Sequence, residues 1–90
     1  MNKIIITVVG KDTVGIIAKV CTFLAENSIN ILDISQTIVS GYFNMMMIVD
    51  VTGLDAEFGK IEEELSKVGD EMGVVIKMQR EDIFDSMHRI

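Results

Sequence analysis

The chain has 90 residues, enough for one domain built on a single core. Its residues are 49% apolar and 24% charged, with no proline, which is the balance of a folded globular chain and not of a disordered one. Fourteen acidic residues against eight basic ones leave a net charge of −6, and this excludes a nucleic-acid binder, which needs a basic surface to displace counterions.

Lys3 to Val9 is rich in β-branched residues and apolar at both parities, so it is read as a strand. From Val14 the period changes: Val14, Ile17, Cys21 and Leu24, with Ala18 and Ala25 beside them, fall on one helical face. Asp12 or Thr13 serves as the cap, which puts Gly15 at the second or third helical position. A glycine inside a helix costs about 1 kcal/mol relative to alanine, so it needs a reason. Two reasons are open: close approach of a ligand to the backbone, or tight packing of the loop against a neighbour. Asn27 and Ser28 end this helix, and Ile29 to Ser40 is extended, with Ile34 and Ile38 at one parity and Gln36 between them.

Ser40-Gly41 is a turn, and Tyr42 to Thr52 is a second long strand, so the two strands form a hairpin. Asp55 is a suitable N-cap for a second helix, in which Phe58, Ile61, Leu65, Val68 and Met72 recur at helical spacing. Gly73 closes it and Val74 to Arg80 is the last strand. The tail EDIFDSMHRI puts Ile83, Phe84, Met87 and Ile90 on one face of a short C-terminal helix. The expected division is a domain over residues 1–80 and a helical tail over 81–90.

The order βαββαβ predicts an α+β, ferredoxin-like sandwich: a four-stranded antiparallel sheet with both helices on one face. The first and third strands are central in that arrangement, and both are apolar at both parities. Ile4, Ile6 and Val8 oppose Ile5 and Val9; Phe43, Met45, Met47, Val49 and Val51 oppose Tyr42, Met46 and Ile48. Helices on one face leave the second set uncovered, and the candidates to cover it are a second copy of the chain or the amphipathic tail.

Catalysis has little to stand on. His88, the lone histidine, lies in the tail, and no His/Cys/Asp cluster has zinc spacing. Cys21 lies in an apolar segment with no cation near it in sequence, so it reads as a buried small hydrophobe. The run Met45-Met46-Met47 reads as two core residues and one interface residue in preference to a soft-metal site, which draws ligands from several segments. Glu62-Glu63-Glu64 reads as a solvated helix face. No catalytic, metal or cofactor residue is expected. A lone cysteine, and no apolar run long enough for a signal or a membrane span, point to the reducing cytoplasm and to no membrane partner.

The stretch VVGKDTVGIIAKV, followed by NSINILDIS with Asn30 fifteen residues after Gly15, is similar to an ACT domain. The pattern G-x-D-x-x-G-[IV] at the strand-to-helix turn and Asn30-Ile31 opening the second strand carry the resemblance, which covers residues 3 to 80 and is nearest to small stand-alone prokaryotic members. It implies regulation by small molecules, commonly amino acids, and side-by-side dimers with ligand held between the first loop of one copy and the start of the second strand of its partner. The implied ligand residues are Gly10, Asp12, Thr13, Val14, Gly15, Ile16, Asn30 and Ile31. The loop departs from the pattern in two ways: Gly10 and Asp12 stand in the region where several amino-acid-binding members have an uncharged polar residue or His, and Val14 where many have Pro.

The function expected is a non-enzymatic cytoplasmic module, a homodimer that binds an amino acid or related metabolite and passes its state to a regulated protein. The alternative is a protein-interaction or assembly domain without a small-molecule ligand.

Overall fold

The structure is a computed structural model and describes residues 3–11, 14–51, 53 and 57–80. Asp12, Thr13, Asp55 and the whole tail 81–90, with His88, lie outside the described residues. Six elements follow in the order β1 (Lys3–Lys11), α1 (Ile16–Glu26), β2 (Asn30–Val39), β3 (Tyr42–Asp50), α2 (Phe58–Met72) and β4 (Val74–Arg80). The four strands make one antiparallel sheet in the order β2-β3-β1-β4, with β1 and β3 central. This is the ferredoxin-like arrangement expected from the element order.

Alternation along each strand decides the faces. Ile4, Ile6 and Val8 of β1, Phe43, Met45, Met47 and Val49 of β3, and Val74, Ile76 and Met78 of β4 turn to the helices. They form one core with Ile16, Val20 and Leu24 of α1 and Ile61 and Leu65 of α2. Met45 and Met47 take the two core places expected within the methionine run, and Met46 is 40% exposed on the other face. Glu62 and Glu63 are exposed, and Glu63 pairs with Lys67 at 3.6 Å one helical turn on.

Local chemistry sets the turns. Ser40 and Gly41 have φ of 53° and 80°, the two positive values that a two-residue hairpin of the primed type requires, and Val39 pairs with Tyr42 across it. At the end of α1 the Ser28 N–H donates to the Ala25 carbonyl at 3.1 Å and the Ile29 N–H to the Leu24 carbonyl at 2.9 Å. That pair of bonds, with Ser28 at φ 57° and buried Ile29 beside buried Leu24, is a Schellman closure with serine where glycine is usual.

Two expectations about α1 are overturned. The helix begins at Ile16, not Val14, and Gly15 is its N-cap at φ 91° and ψ 3°. Gly15 is therefore not an interior helical residue, and no helix-propensity penalty applies to it. A Cβ built there meets nothing within 4 Å, so tight packing is not the reason for the glycine. Its left-handed backbone is, because that conformation costs an L-residue about 1–2 kcal/mol.

The buried face of α1 also differs. Ile16, Val20, Phe23 and Leu24 face the core, whereas Val14 is 99% exposed, Ile17 is 36% exposed and Ala18 and Ala25 are exposed. Cys21 is half-buried at the edge of the core. Both stripes of IIAKVCTFLA are apolar at helical spacing, and of the counted stripe the core takes Leu24 and borders Cys21 but leaves Val14 and Ile17 outside.

Candidate functional site

The outer stripe of α1 faces β2, an edge strand that the helix barely reaches. Leu32 is an extra residue in β2, since Ile31 pairs with Val49 and Asp33 with Ile48. Beyond this bulge Ile34, Gln36 and Ile38 lie opposite the inward-facing Met47, Met45 and Phe43, so they share the helix side of the sheet. Ile34 and Ile38 nevertheless keep 43% and 56% of their surface. An apolar strip results, running from Val14 and Ile17 across to Ile34 and Ile38.

At the head of this strip lies a shallow groove of about 490 Å³, bounded by Val14, Gly15 and Ile17 on one side and Gln36, Ile38 and Phe43 on the other. The first bond of the α1 ladder runs from the Lys19 N–H to the Gly15 carbonyl at 2.9 Å. The N–H groups of Ile16, Ile17 and Ala18 therefore lie ahead of that ladder, at the positive end of the helix dipole. The groove brings together the start of α1, an aliphatic wall and one side-chain amide, that of Gln36, which both donates and accepts.

The residues expected to form a ligand site do not all meet. Gly10 closes the inward face of β1 between Phe43 and Val74, where an added Cβ would come within 2.7 Å of Val74 Cγ1. Its missing side chain serves strand packing. Val14, Gly15 and Ile16 line the groove, and Asp12 and Thr13 lie outside the described residues. Asn30 and Ile31 stand at the other end of the sheet: Asn30 pairs with Asp50, which pairs with Lys3, while the loop to α1 leaves from Lys11. The separation along β1 is about 27 Å, from the rise of an extended strand. Within one chain, Asn30 and Gly15 are not neighbours.

Gln36 was not among the expected ligand residues. Its signal was present, since it is the polar residue at an otherwise aliphatic parity between Ile34 and Ile38. Without the strand's register against β3, nothing in the sequence says which face that parity takes.

β2 has one unpaired edge along its length. Nine of its ten residues are exposed, and Asp33 is the sole charged residue, with no Lys or Pro to discourage pairing. The opposite edge, β4, is shorter and carries Lys77 and Arg80. Long apolar edges are templates for a further strand.

Residues 2–79 match the family described as ACT domain. The chain belongs to that family. A UPF0237 protein of Bifidobacterium longum is 62% identical to this ACT domain over 90 residues, which is all of both chains. Among solved structures, an ACT domain protein from Streptococcus pneumoniae is 42% identical, with a TM-score of 0.82, covering 93% of this chain and 94% of that one. The regulatory subunit of aspartate kinase from Thermus thermophilus is 26% identical, with a TM-score of 0.65, and this chain spans half of its length. Among the described residues of this ACT domain no His, Cys, Asp and Glu converge in a group able to hold a metal, and no helix is long and apolar enough to cross a membrane.

Proposed function

We propose that this ACT domain is a cytoplasmic, non-enzymatic regulatory module, a homodimer that binds an amino acid or related small metabolite in the groove beside Gly15. The observation that carries the reading is the unprotected β2 edge bordering an aliphatic strip. Antiparallel pairing of β2 with its own copy about a two-fold axis is a closed arrangement that removes this edge from solvent. It also reverses the strand's ends. The start of the partner's β2, with its Asn30 and Ile31, then comes beside the end of this chain's β2, where Ile38 and Gly15 lie. The two halves of the expected site, remote within one chain, become neighbours across such an interface.

A free amino acid brings two charges, and each needs a partner when buried. The amides of Ile16, Ile17 and Ala18 suit the carboxylate. Asp12 suits the ammonium group, and the amides of Gln36 and of the partner's Asn30 bind either polar group. Val14, Ile17 and Ile38 accept an aliphatic side chain. The regulated protein is a separate chain, in keeping with the relative that is itself a regulatory subunit.

Thermal unfolding in the presence of each of the twenty amino acids and their precursors tests the reading. At ten times its dissociation constant a ligand stabilises the fold by about 1.4 kcal/mol. For a domain of this size the midpoint rises by about 6–11 °C. Gln36→Ala and Asn30→Ala remove that shift and leave a folded protein. No shift with any compound would leave the assembly-domain reading in its place.

A further inference from the structure

The hairpin decides which backbone groups of β2 face outward. Val39 and Tyr42 flank a two-residue turn of the primed type, so they form the hydrogen-bonded pair that closes it. Bonded and non-bonded pairs alternate along an antiparallel ladder. Thr37 and Ser35 therefore bond to Asn44 and Met46, whereas Ile38, Gln36 and Ile34 turn their N–H and C=O groups to the open edge. The Ile34 N–H agrees with this: it donates to Asp33 Oδ1 at 2.8 Å, a partner outside the sheet ladder.

Around Gln36 the strand reads I-S-Q-T-I, which has nearly the same chemistry in both directions. Two copies of a strand related by a two-fold axis run in opposite directions and set residue i against j and j against i. With Gln36 on the axis, like meets like. Ile34 faces the partner's Ile38, Ser35 faces the partner's Thr37, and the two Gln36 residues face each other. Every outward N–H and C=O of Ile34, Gln36 and Ile38 then has a partner across the axis. A slip of the pairing sets Gln36 against Ile34 or Ile38 instead. It also carries one of the isoleucines past the ladder, onto the bulge at Leu32 or the turn at Ser40. Asp33, the sole charged residue of β2, lies opposite Val39 in the unslipped register. It stands about 20 Å from its own copy, from the rise of an extended strand, so the seam brings no like charges together.

We propose, resting on the β2-edge dimer above, that Gln36 lies on the two-fold axis and fixes the register of that pairing. Its amide is the polar side chain between two isoleucines on the helix side of the seam. Pairing with its own copy satisfies it, whereas a shifted register leaves it against an aliphatic chain, and one such polar position is enough to specify a register. An amide has two donors and an acceptor, so each Gln36 keeps a group for the groove beside Gly15. The same register brings the partner's Ile34 beside Ile38, where it extends the aliphatic wall of that groove.

Cysteine cross-linking in a Cys21→Ala background tests this, with linked chains read on a non-reducing gel after mild oxidation. Opposed residues of a bonded antiparallel pair lie about 5.5 Å apart at Cα, within reach of a disulfide. Ile34 and its own copy are offset by about 13 Å along the strands, out of reach. Gln36→Cys should link to itself. Ile34→Cys and Ile38→Cys should each stay unlinked alone and link to one another when mixed. The mixed pair keeps Gln36, so it reports the register even where loss of the amide weakens the dimer. Two results would overturn the register while leaving the dimer reading in place, each in a chain that sediments as a dimer. One is self-linkage of Ile34→Cys or Ile38→Cys ahead of Gln36→Cys; the other is no link in the mixed pair. A chain that sediments as a monomer would overturn both.

Discussion

Ile38→Lys is the sharpest probe of the proposed β2-edge dimer. Ile38 keeps 56% of its surface in the single chain and lies on the helix side of the edge strand β2. Full burial of an isoleucine is worth about 1.5–3 kcal/mol, so covering the remainder contributes about 0.8–1.7 kcal/mol per copy. Two-fold symmetry counts the contact twice, giving about 1.7–3.4 kcal/mol for the dimer. That is about 15- to 300-fold in the dimer dissociation constant, before the cost of burying two ammonium groups is added. Lysine on an edge strand is also the residue that most directly discourages pairing. The fold itself should survive Ile38→Lys, because the position lies outside the core. Sedimentation over a concentration series reads the outcome. The unaltered chain should sediment at about twice its 10.0 kDa mass and the variant at the single-chain mass. Val75→Lys is the control: it is 58% exposed on the opposite face of the sheet and should leave the dimer intact. Dissociation by Val75→Lys together with a stable Ile38→Lys dimer would refute the β2-edge arrangement. A monomeric unaltered chain at tens of micromolar would refute dimerisation itself.

Two further predictions concern the left-handed positions. Gly15→Ala should cost about 1–2 kcal/mol of stability in urea unfolding, from its backbone at φ 91° with no steric contribution, and Gly15→Asn should cost less, because asparagine tolerates that conformation. An unchanged midpoint for the alanine variant would show that the loop does not hold this conformation. Ser28→Gly should stabilise the chain by about 0.5–1 kcal/mol, since relief of the left-handed serine at φ 57° exceeds the added chain entropy of glycine. Loss of stability in that variant would mean the Schellman closure depends on the serine side chain.

The β-branched runs, the Ser40-Gly41 turn and the 3–4 spacing of α2 are each decided within a few residues of chain. They were therefore legible in order, and with right-handed connections they lead to one sheet topology. The candidate site was legible only in pieces. Its glycine stood out, but the reason for it did not, because a dihedral angle at a helix start is not written in hydrophobic spacing. Gly15 and Asn30 are expected to meet across two copies, and only the register of β1, β3 and β2 shows how far apart they stand within one, at opposite ends of the sheet.

α1 marks the boundary most clearly. Its sequence carries two apolar stripes that share Leu24, one through Val14, Ile17 and Cys21 and one through Ile16 and Val20, and periodicity counts both equally well. The amino-acid sequence by itself determined that a helix forms there and that it is apolar over more than one face. Only the tertiary structure decided which stripe the core takes, because that depends on where Ile6, Met47 and Leu65 arrive from other parts of the chain. The stripe left over lies beside β2, whose outer edge no strand among the described residues pairs.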